Sequence, residues 1–434
     1  MQVAAKSETT EAHSISDAVR AIAERQLTSR ALTDVCLGAI DVHEAEIKAW
    51  QFLDPEAARA QADARDAETA GGAMHGVPIG VKDIIDTADM PTEYGSPIHR
   101  GHRPSTDATC VTRLRAAGAV ILGKTVTTEF AAFKPPVTRN PHDSARTPGG
   151  SSSGSAAAVA CGMVPAALGS QTAGSVIRPA AFCGVVGLKP SYGAIDITGV
   201  KPFAPALDTL GTFARTVDDA AFVARVIGDA DGPLGQQEAG DLPPPRIGLC
   251  RSREWSQADA ATHETFKATL RRLAEAGAAT DSFDMPARFA DLIEVQNTIL
   301  IGQVSASLNW EYRTHPDQLS DRLRAALDES VAFPPGRLDE ALGRAEACRA
   351  DADDLFGEYD LLLTPSALGE APTAETTGDP MFNRIWTVLH GPCITLPAAT
   401  GPNGLPIGIQ LVGRIGDDAR LIAWARWVES VLGA

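Results

Sequence analysis

One stretch of the chain, residues 147–190, concentrates the side chains that could carry out chemistry. It contains a Gly/Ser loop, a helix of small residues and a second Gly/Ser turn. Its polar side chains are those of Ser151, Ser152, Ser153, Ser155, Ser170, Gln171, Thr172, Ser175 and Arg178. A serine hydroxyl becomes a nucleophile when an adjacent base removes its proton. The structural alternative is a tight glycine turn whose serines cap helices, but so many hydroxyls among small and apolar residues favour a reactive centre.

Two short motifs lack the structural context that their chemistry needs. Residues 118–125 (GAVILGKT) match the P-loop pattern, but the middle residues are typical of a buried strand that follows a helix, not of a loop that cradles phosphate. Residues 150–154 (GSSSG) match the nucleophile-elbow pattern. The segment before them, NPHDSARTP, cannot form the central strand that an elbow requires, and nothing places any of the nine histidines beside these serines. We therefore reject both motifs.

The segments GGSSSGSAAAVA (149–160) and GSQTAGSVIRPA (169–180) closely resemble the signature of the amidase signature family of serine hydrolases. Val81–Asp83 matches the region that carries the family's catalytic lysine. Residues 183–190 and 403–409 complete the resemblance, which covers residues 15–434. Within the family, VKDIIDTADMPTEYGS, GGSSSGSAAAVA and TGDPMFNRIWT are nearest to malonamidase-type bacterial amidases.

The resemblance implies a catalytic triad in which Ser175 is the nucleophile, Ser151 the bridging serine and Lys82 the base. The separation of the two serines, 175 − 151 = 24, equals the family's spacing. A lysine can act as a base where burial disfavours its charged form, and a serine that both donates and accepts hydrogen bonds can relay the proton. The resemblance also implies a cis peptide bond between Ser151 and Ser152, and we give Ser152 a supporting role.

The same resemblance assigns the oxyanion hole to the backbone N–H groups of Thr172, Ala173, Gly174 and Ser175. Small residues at 173 and 174 let the backbone approach a substrate closely, and preorganised donors of this kind stabilise the tetrahedral intermediate of acyl transfer. Ser170 and Ala173 stand where the family usually has Thr and Gly, which affects the dimensions of the pocket rather than the reaction.

The chain departs from most family members around Arg178. They have an aspartate where this chain has Gln171, and their arginine follows the nucleophile by two residues rather than three. We infer that a structural ion pair has been lost, which would free Arg178 to meet a carboxylate, carbonyl or dipole of the substrate. The alternative is that backbone carbonyls satisfy the guanidinium.

Two classes of substrate fit these residues. Arg178 favours a small amide that carries a carboxylate, as in the malonamidase-type enzymes. Small or apolar pocket residues favour a neutral carbamate, urea or anilide; these residues are Ala173, Tyr94, Phe133 and Trp386. We favour a broad small-amide and carbamate hydrolase, a urethanase-like activity, because the same oxyanion hole can stabilise the intermediate of a carbamate. The proposed substrate-binding residues are Arg178, Ser170, Gln171, Tyr94, Phe133 and Trp386.

Two further hypotheses come from other classes of protein. One is the amidase (glutaminase-type) subunit of a tRNA-dependent amidotransferase, although the chain contains no tRNA-reading region. The other is an inactive homologue that only binds partners, but such a protein would be expected to have lost Lys82, Ser151 or Ser175. No cluster of His, Cys, Asp or Glu has the spacing of metal ligands, so we predict neither a metal nor another cofactor.

The composition is that of a globular enzyme. The chain has 434 residues, and 38 Lys and Arg against 55 Asp and Glu give a net charge of −17. This charge argues against a nucleic-acid partner, because phosphate binding needs clustered basic residues.

The seven scattered cysteines are typical of reduced thiols. The N-terminus lacks the apolar core of a signal peptide, and no apolar run is long enough to span a membrane. We predict a cytoplasmic enzyme with a small-molecule amide or carbamate as partner and a homodimer as its candidate assembly.

Helical and strand patterns alternate along the chain. After a helical N-terminal region, the sequence predicts a strand at 77–81, a helix at 107–117 and a strand at 119–122. A linker at 229–245 precedes another strand at 246–251, and helical and strand-like runs follow. This alternation predicts an α/β fold with a covered sheet.

The resemblance refines this prediction to an amidase-signature-like fold, in which a large mixed β-sheet is covered by helices on both faces and carries a helical insertion. We predict one amidase domain over residues 1–434. Its parts are N-terminal helices (15–70), a catalytic core (71–228 and 358–434) and a mostly helical subregion (246–357).

Overall fold

The structure, a computed structural model, describes residues 14–229, 231–235 and 242–433. The residues assessed for a signal peptide and part of the predicted linker at 229–245 lie outside these ranges. None of the helices in the described ranges is both long and apolar enough to cross a membrane. All seven cysteines are unpaired, and all except Cys161 are buried.

Helices and strands alternate through most of the described chain. The strands are β1 Trp50–Leu53, β2 Pro78–Lys82, β3 Val120–Thr125, β4 Ala166–Gln171, β5 Val186–Lys189, β6 Thr209–Ala214, β7 Arg246–Arg251, β8 Ala279–Asp284, β9 Leu361–Pro365, β10 Cys393–Thr400 and β11 Pro406–Val412. The helices are α1 Ile15–Ala23, α2 Ser29–Ile47, α3 Pro55–Ala67, α4 Thr109–Ala116, α5 Ser153–Ala160, α6 Ile177–Cys183, α7 Val217–Ile227, α8 Ala260–Glu275, α9 Leu292–Ser307, α10 Asn309–Thr314, α11 Asp321–Val331, α12 Arg337–Ala350, α13 Asp353–Phe356, α14 Met381–Val388 and α15 Asp418–Leu432.

The strands form one mixed sheet in the order β1-β3-β2-β4-β6-β5-β10-β11-β9-β7-β8. β2 lies between β3 and β4 and runs parallel to both, whereas the middle of the sheet, from β4 to β9, is antiparallel. Because β2 and β4 are parallel neighbours, their carboxyl ends meet at the same edge of the sheet. Lys82 at the end of β2 therefore lies beside Ser170 near the end of β4. The predicted large mixed sheet is confirmed.

Apolar side chains are buried on both faces of this sheet. Successive residues of a strand point to opposite faces, and the β3 neighbours Ile121 and Leu122 belong to two different hydrophobic clusters, as do Leu168 and Ala167 of β4. The first cluster continues into α4, α7 and α15, and the second into α2 and α5. Helices thus cover both faces, as predicted.

The helix of small residues, α5, packs directly onto the sheet against β2, β3, β4 and β6. Its residues from Ser153 to Val159 are all buried. A Cβ atom added to Gly154 would collide with the Ala49 carbonyl oxygen and the Val126 backbone nitrogen, so this close approach requires glycine. The packing of α5 holds the preceding loop, and therefore Ser151, at the sheet edge where Lys82 ends β2.

Several predicted elements have close counterparts in the structure. The strand predicted at 246–251 is β7, and the helix predicted at 107–117 is α4. The rejection of the P-loop is confirmed, because the pattern falls on β3, which follows α4. Within the mostly helical subregion, the sequence predicts helical stretches at about 287–314 and 337–357. α11 lies between these two stretches and was not predicted as a separate helix. The division of the chain into parts of a single domain stays a prediction.

Candidate active site

Lys82 ends β2 and its side chain is fully buried. Its Nζ donates hydrogen bonds to Ser151 Oγ, at 2.7 Å, and to Ser170 Oγ, at 2.9 Å. Burial lowers the pKa of Lys82 well below its ordinary value, and the negative charge of Asp208 opposes this shift without cancelling it. A lysine whose neutral form is favoured in this way can accept a proton from a neighbouring hydroxyl.

Ser151 lies on the loop that precedes α5. Gly149 in this loop has a φ of 84°, and the peptide bond between Gly150 and Ser151 is cis. We expected the cis bond one residue later, between Ser151 and Ser152, and that expectation is wrong; the glycine-rich sequence marks the loop but not which of its bonds is cis. The Ser152 hydroxyl accepts the N–H of Ser170 at 3.3 Å and donates to the Ser170 carbonyl at 3.2 Å, so it joins this loop to β4.

Ser175 lies on the turn between β4 and α6 that residues 172–175 form, hereafter the oxyanion turn. The backbone N–H groups of Ala173, Gly174 and Ser175 make no hydrogen bond within the described residues. Ser175 and Ser151 line the same cavity, and the Ser175 hydroxyl has no hydrogen-bond partner in the described part of the chain. The turn thus combines an unbonded hydroxyl with three unbonded backbone donors.

Gln171 braces the oxyanion turn. Its Oε1 accepts the N–H groups of Val176 at 2.9 Å and Ile177 at 3.1 Å, and its Nε2 donates to Thr387 Oγ1 at 2.9 Å. Thr387 in turn donates to the Ala173 carbonyl at 2.7 Å. Gln171 is fully buried and does not line the cavity, and its predicted contact with substrate stays a prediction. Its side-chain oxygen instead satisfies N–H groups at the start of α6.

Thr172 is held from another direction by two residues that the sequence did not single out. Its hydroxyl donates to Asp208 Oδ1 at 2.5 Å, and its carbonyl accepts from Gln296 Nε2 at 2.9 Å. Asp208 Oδ2 accepts the N–H groups of Phe203 and Ala204 at 2.8 and 3.0 Å. Burial raises the pKa of Asp208, while these hydrogen bonds and the charge of the buried lysine oppose the shift.

Gly174 has no room for a side chain, and the structure gives a reason that the sequence did not indicate. A Cβ atom there would collide with Asn383 Oδ1 on α14 and would lie 2.9 Å from Pro380 Cβ. The absence of a side chain at Gly174 is therefore required by packing against α14. Ala173 is the residue of the pair that lines the cavity.

A cavity of about 280 Å³ opens beside Ser151 and Ser175. Its apolar lining residues are Ala131, Ala132, Phe133, Ala173, Phe203, Leu300 and Pro380. Its charged lining residues are Arg178, Arg322, Arg384 and Asp379. The cavity therefore has a cationic lining, three arginines against one aspartate, although the whole chain carries a net charge of −17.

Of the six proposed substrate-binding residues, Arg178 and Phe133 line this cavity. The other four do not line it, namely Gln171, Ser170, Tyr94 and Trp386. Ser170 accepts a hydrogen bond from the buried lysine instead. Tyr94 is buried, and its hydroxyl donates to Asp86 Oδ1 at 2.9 Å. Trp386 is 2% exposed and packs in the core. Residues two apart on a helix point in nearly opposite directions, so α14 cannot direct both Arg384 and Trp386 into the cavity. The structure places these three residues away from the cavity, and their direct contacts with substrate stay predictions.

Arg178 is buried against the cavity. Its Nε donates to the Thr377 carbonyl and its Nη2 to the Gly150 carbonyl, both at 2.7 Å. Its Nη1 is buried and has no partner within the described residues. Burial lowers the pKa of Arg178 to about 9. Backbone carbonyls therefore accept hydrogen bonds from Nε and Nη2 of Arg178, as the alternative prediction required, but Nη1 has no such acceptor.

The charged residues at the cavity could have been found in part from the sequence. Asp379 and Arg384 belong to the segment TGDPMFNRIWT, which contributed to the resemblance, but their charges were not considered. Arg322 lies on the unpredicted α11. Within the described ranges, no group of three or more His, Cys, Asp or Glu side chains could hold a metal ion.

Comparisons with known proteins agree with one another. Residues 31–422 match the protein-family model described as Amidase. The chain is 34% identical over 469 residues to a glutamyl-tRNA(Gln) amidotransferase subunit of Chloroflexus aggregans, and the match covers 95% of each protein. It also resembles a solved structure described as an amidase, with 28% identity and a TM-score of 0.88 over 97% of this chain and 100% of that one. The peptide amidase of Stenotrophomonas maltophilia is 29% identical, with a TM-score of 0.84 and 98% of both chains covered.

Proposed function

Because the chain belongs to the amidase family, we propose that it hydrolyses the C–N bond of a small linear amide through an acyl-enzyme formed at Ser175. The observation that carries this proposal is the buried Lys82, whose Nζ lies 2.7 Å from Ser151 Oγ. Burial favours the neutral amine, and Ser151 lies on the same cavity as Ser175. These are the parts that a serine nucleophile needs, namely a base, a relay and a free hydroxyl.

In the acylation step, Ser175 Oγ attacks the amide carbon while its proton passes to Ser151 and the proton of Ser151 passes to Lys82. The backbone N–H groups of the oxyanion turn stabilise the negative charge on the former carbonyl oxygen. Lys82 then returns a proton through Ser151 to the leaving nitrogen, and the C–N bond breaks. A water molecule, deprotonated along the same relay, attacks the resulting ester and releases the acid.

This mechanism needs a hydrogen bond from Ser175 to Ser151. The Ser175 hydroxyl is free of other partners in the described part of the chain, so a rotation about χ1 costs it no existing hydrogen bond. Catalytic hydrogen bonds also commonly shorten and align only in the substrate complex. The existing Lys82–Ser151 hydrogen bond supplies the other half of the relay.

The lining of the cavity supports a substrate that has both an apolar part and an anionic group. Phe133, Phe203 and Leu300 supply apolar contacts. Arg178 Nη1 is a buried donor without a partner among the described residues, and an anionic group would satisfy it. The expectation of a neutral substrate rested partly on Tyr94 and Trp386, which do not line the cavity. Carbamates and esters of similar shape remain compatible with the oxyanion turn.

Covalent labelling tests the proposed function. We expect a fluorophosphonate to add once to the wild-type protein, as measured by intact-protein mass spectrometry, and not to add to Ser175→Ala. Ser153→Ala is the matched control, because Ser153 is buried in the same segment but does not line the cavity; it should be labelled like the wild type. Labelled protein should also lose activity against a panel of small amides, carbamates and esters. Labelling of Ser175→Ala would refute the assignment of the nucleophile.

The amidase subunit of a tRNA-dependent amidotransferase is the second candidate function. The similarity of 34% over nearly the whole of the Chloroflexus aggregans protein favours it. Glutamine, the substrate expected of such a glutaminase, carries a cationic amino group as well as a carboxylate, and Asp379 is the one acidic residue that lines the cavity within the described chain. Ammonia release from glutamine by the isolated chain, compared with release from small acyclic amides, separates the two functions. A strong preference for glutamine, together with binding of tRNA or of partner subunits, would favour the amidotransferase.

A further inference from the structure

Arg384 is a second guanidinium at the cavity, and neither the resemblance nor the comparisons assign it a role. It lies on α14 and is only partly exposed. Its Nη1 donates to Gln296 Oε1 at 2.8 Å and to Asn297 Oδ1 at 3.2 Å. Its Nε and Nη2 make no hydrogen bond to a described residue. One edge of this guanidinium is therefore fixed by α9, and the rest is available to an anion in the cavity.

Gln296 links this arginine to the oxyanion turn. Its Oε1 accepts from Arg384, and its Nε2 donates to the Thr172 carbonyl at 2.9 Å. Arginine has only donors and a carbonyl has only acceptors, so the two partners fix the orientation of the carboxamide. The Gln296 side chain is fully buried, and a buried polar group of this kind is costly to leave unpaired. A displacement of the guanidinium is thus transmitted through one rigid amide to Thr172.

The remaining contacts of Thr172 make this link relevant to catalysis. The hydroxyl of Thr172 is held by Asp208 at 2.5 Å, so the residue is fixed at two points. The three unbonded N–H groups of the oxyanion turn follow it directly in the chain. Preorganised donors are effective only while they remain aligned with the developing oxyanion. A small shift of Thr172 would therefore change the barrier to acylation.

We propose that Arg384 binds an anionic group of the substrate and that Gln296 couples its occupation to the alignment of the oxyanion turn. The substrate class is then a monoamide of a short dicarboxylic acid, or a comparable amide with an acidic group at the far end. Arg384 determines specificity, and Gln296 is a positioning residue that does not touch the substrate. This inference rests on the proposed function, because it assumes acyl transfer at Ser175.

The two halves of the proposal predict different kinetic changes for a matched pair of substrates, the monoamide of a short dicarboxylic acid and the neutral amide of equal length. In the wild type, the anionic amide should have both the lower KM and the higher kcat. Arg384→Met should reduce both advantages and lower kcat/KM for the anionic amide by about 10- to 150-fold, as expected for the loss of one charge-assisted contact. Arg178 Nη1 remains at the cavity as a second donor. Gln296→Met should keep the KM advantage and lose the kcat advantage.

Two further variants keep the test decisive. Asn297→Ala is the matched control, because Asn297 is exposed and shares the Arg384 contact without touching Thr172; it should retain both advantages. Gln296→Glu keeps an acceptor for Arg384 but opposes the Thr172 carbonyl with another acceptor, so it should reproduce the kcat defect if Gln296→Met does not fold. Circular dichroism and thermal unfolding establish which variants are folded.

The outcomes distinguish the proposal from the function on which it rests. A folded Gln296 variant that retains the kcat advantage would refute the coupling. An Arg384→Met enzyme whose kcat/KM for the anionic amide falls no more than its kcat/KM for the neutral amide would refute the binding site. Fluorophosphonate labelling is measured on the same preparations. If the wild type is not labelled at Ser175, the proposed function fails. If it is labelled normally and only the kinetic split is absent, the inference about Arg384 and Gln296 fails alone.

Discussion

Ser151 and Ser170 form a matched pair for testing the proton relay. Both are buried serines whose hydroxyls accept hydrogen bonds from Lys82 Nζ, at 2.7 and 2.9 Å. Only Ser151 shares the catalytic cavity with Ser175. Replacing each serine by alanine therefore removes the same kind of contact from the lysine, but only one replacement interrupts the proposed path of the proton.

The expected losses differ by orders of magnitude. Ser170→Ala removes one hydrogen bond that orients the lysine, with a net value of about 0.5–1.5 kcal/mol, so kcat should fall by about 2- to 13-fold. Ser151→Ala removes the relay, and positioned proton transfer typically contributes about 10²- to 10⁴-fold to the rate. Alanine at either position keeps Lys82 buried, so its lowered pKa should persist.

Steady-state kinetics on a small amide, with thermal unfolding as a check on folding, measures both effects. The rate of fluorophosphonate labelling should follow kcat, because it depends on the same activation of Ser175. If Ser151→Ala were to retain kcat within a factor of 10 of the wild type, or Ser170→Ala were the more damaging, the proton would not pass through Ser151. The assignment of Lys82 as the base would then need Ser170 as the intermediate.

Three further predictions concern the base and the nucleophile. Activity should fall as the pH is lowered through the pKa of Lys82, because only the neutral amine accepts a proton; Lys82→Arg, which stays charged, should be inactive across the same pH–rate profile. Asp208→Asn removes a negative charge that raises the pKa of Lys82, so the acid limb of the kcat/KM profile should move to lower pH. An acid limb at the wild-type pH would contradict an electrostatic effect of Asp208 on Lys82. His142→Ala should leave kcat near the wild-type value, because His142 Nε2 contacts the Cys183 carbonyl at 2.9 Å rather than a reactive serine; a loss as large as that of Lys82→Arg in a folded protein would support a serine–histidine mechanism.

The sequence motifs indicated which segments meet at the site better than they indicated the backbone geometry within a segment. The Lys82–Ser151 contact joins two of these motifs, and it is the packing of α5 on the sheet that brings Ser151 beside the end of β2. The cis bond was misplaced by one residue. This error arose because a glycine-rich loop does not reveal which of its bonds departs from trans.

Residues that contact the site from distant segments of the chain could not be recognised from their local sequence. Asp208 and Gln296 lie 36 and 124 residues from Thr172 in the chain, and each occurs in a segment without a recognisable motif. Tyr94 and Trp386 were proposed as pocket residues because they are aromatic, but a buried aromatic side chain is more often part of the core. Which side of α14 faces the cavity is decided by packing against the oxyanion turn, and this packing cannot be read from the sequence of the helix.

The structure also changes what a substitution of Arg178 can reveal. An Arg178→Ala substitution would slow only the anionic substrate if the arginine did nothing except bind a carboxylate, and both substrates if it were only structural. However, two of its nitrogens hold the carbonyls of Gly150 and Thr377, and leaving buried acceptors unpaired costs about 1–3 kcal/mol each. The Gly150 carbonyl belongs to the peptide bond that leads into Ser151, so removing Arg178 disturbs the relay for every substrate. Losses for both substrates would therefore be expected even if Nη1 binds a carboxylate. Arg384, which makes no hydrogen bond to the Ser151 loop, is the arginine whose removal can separate recognition of the substrate from catalysis.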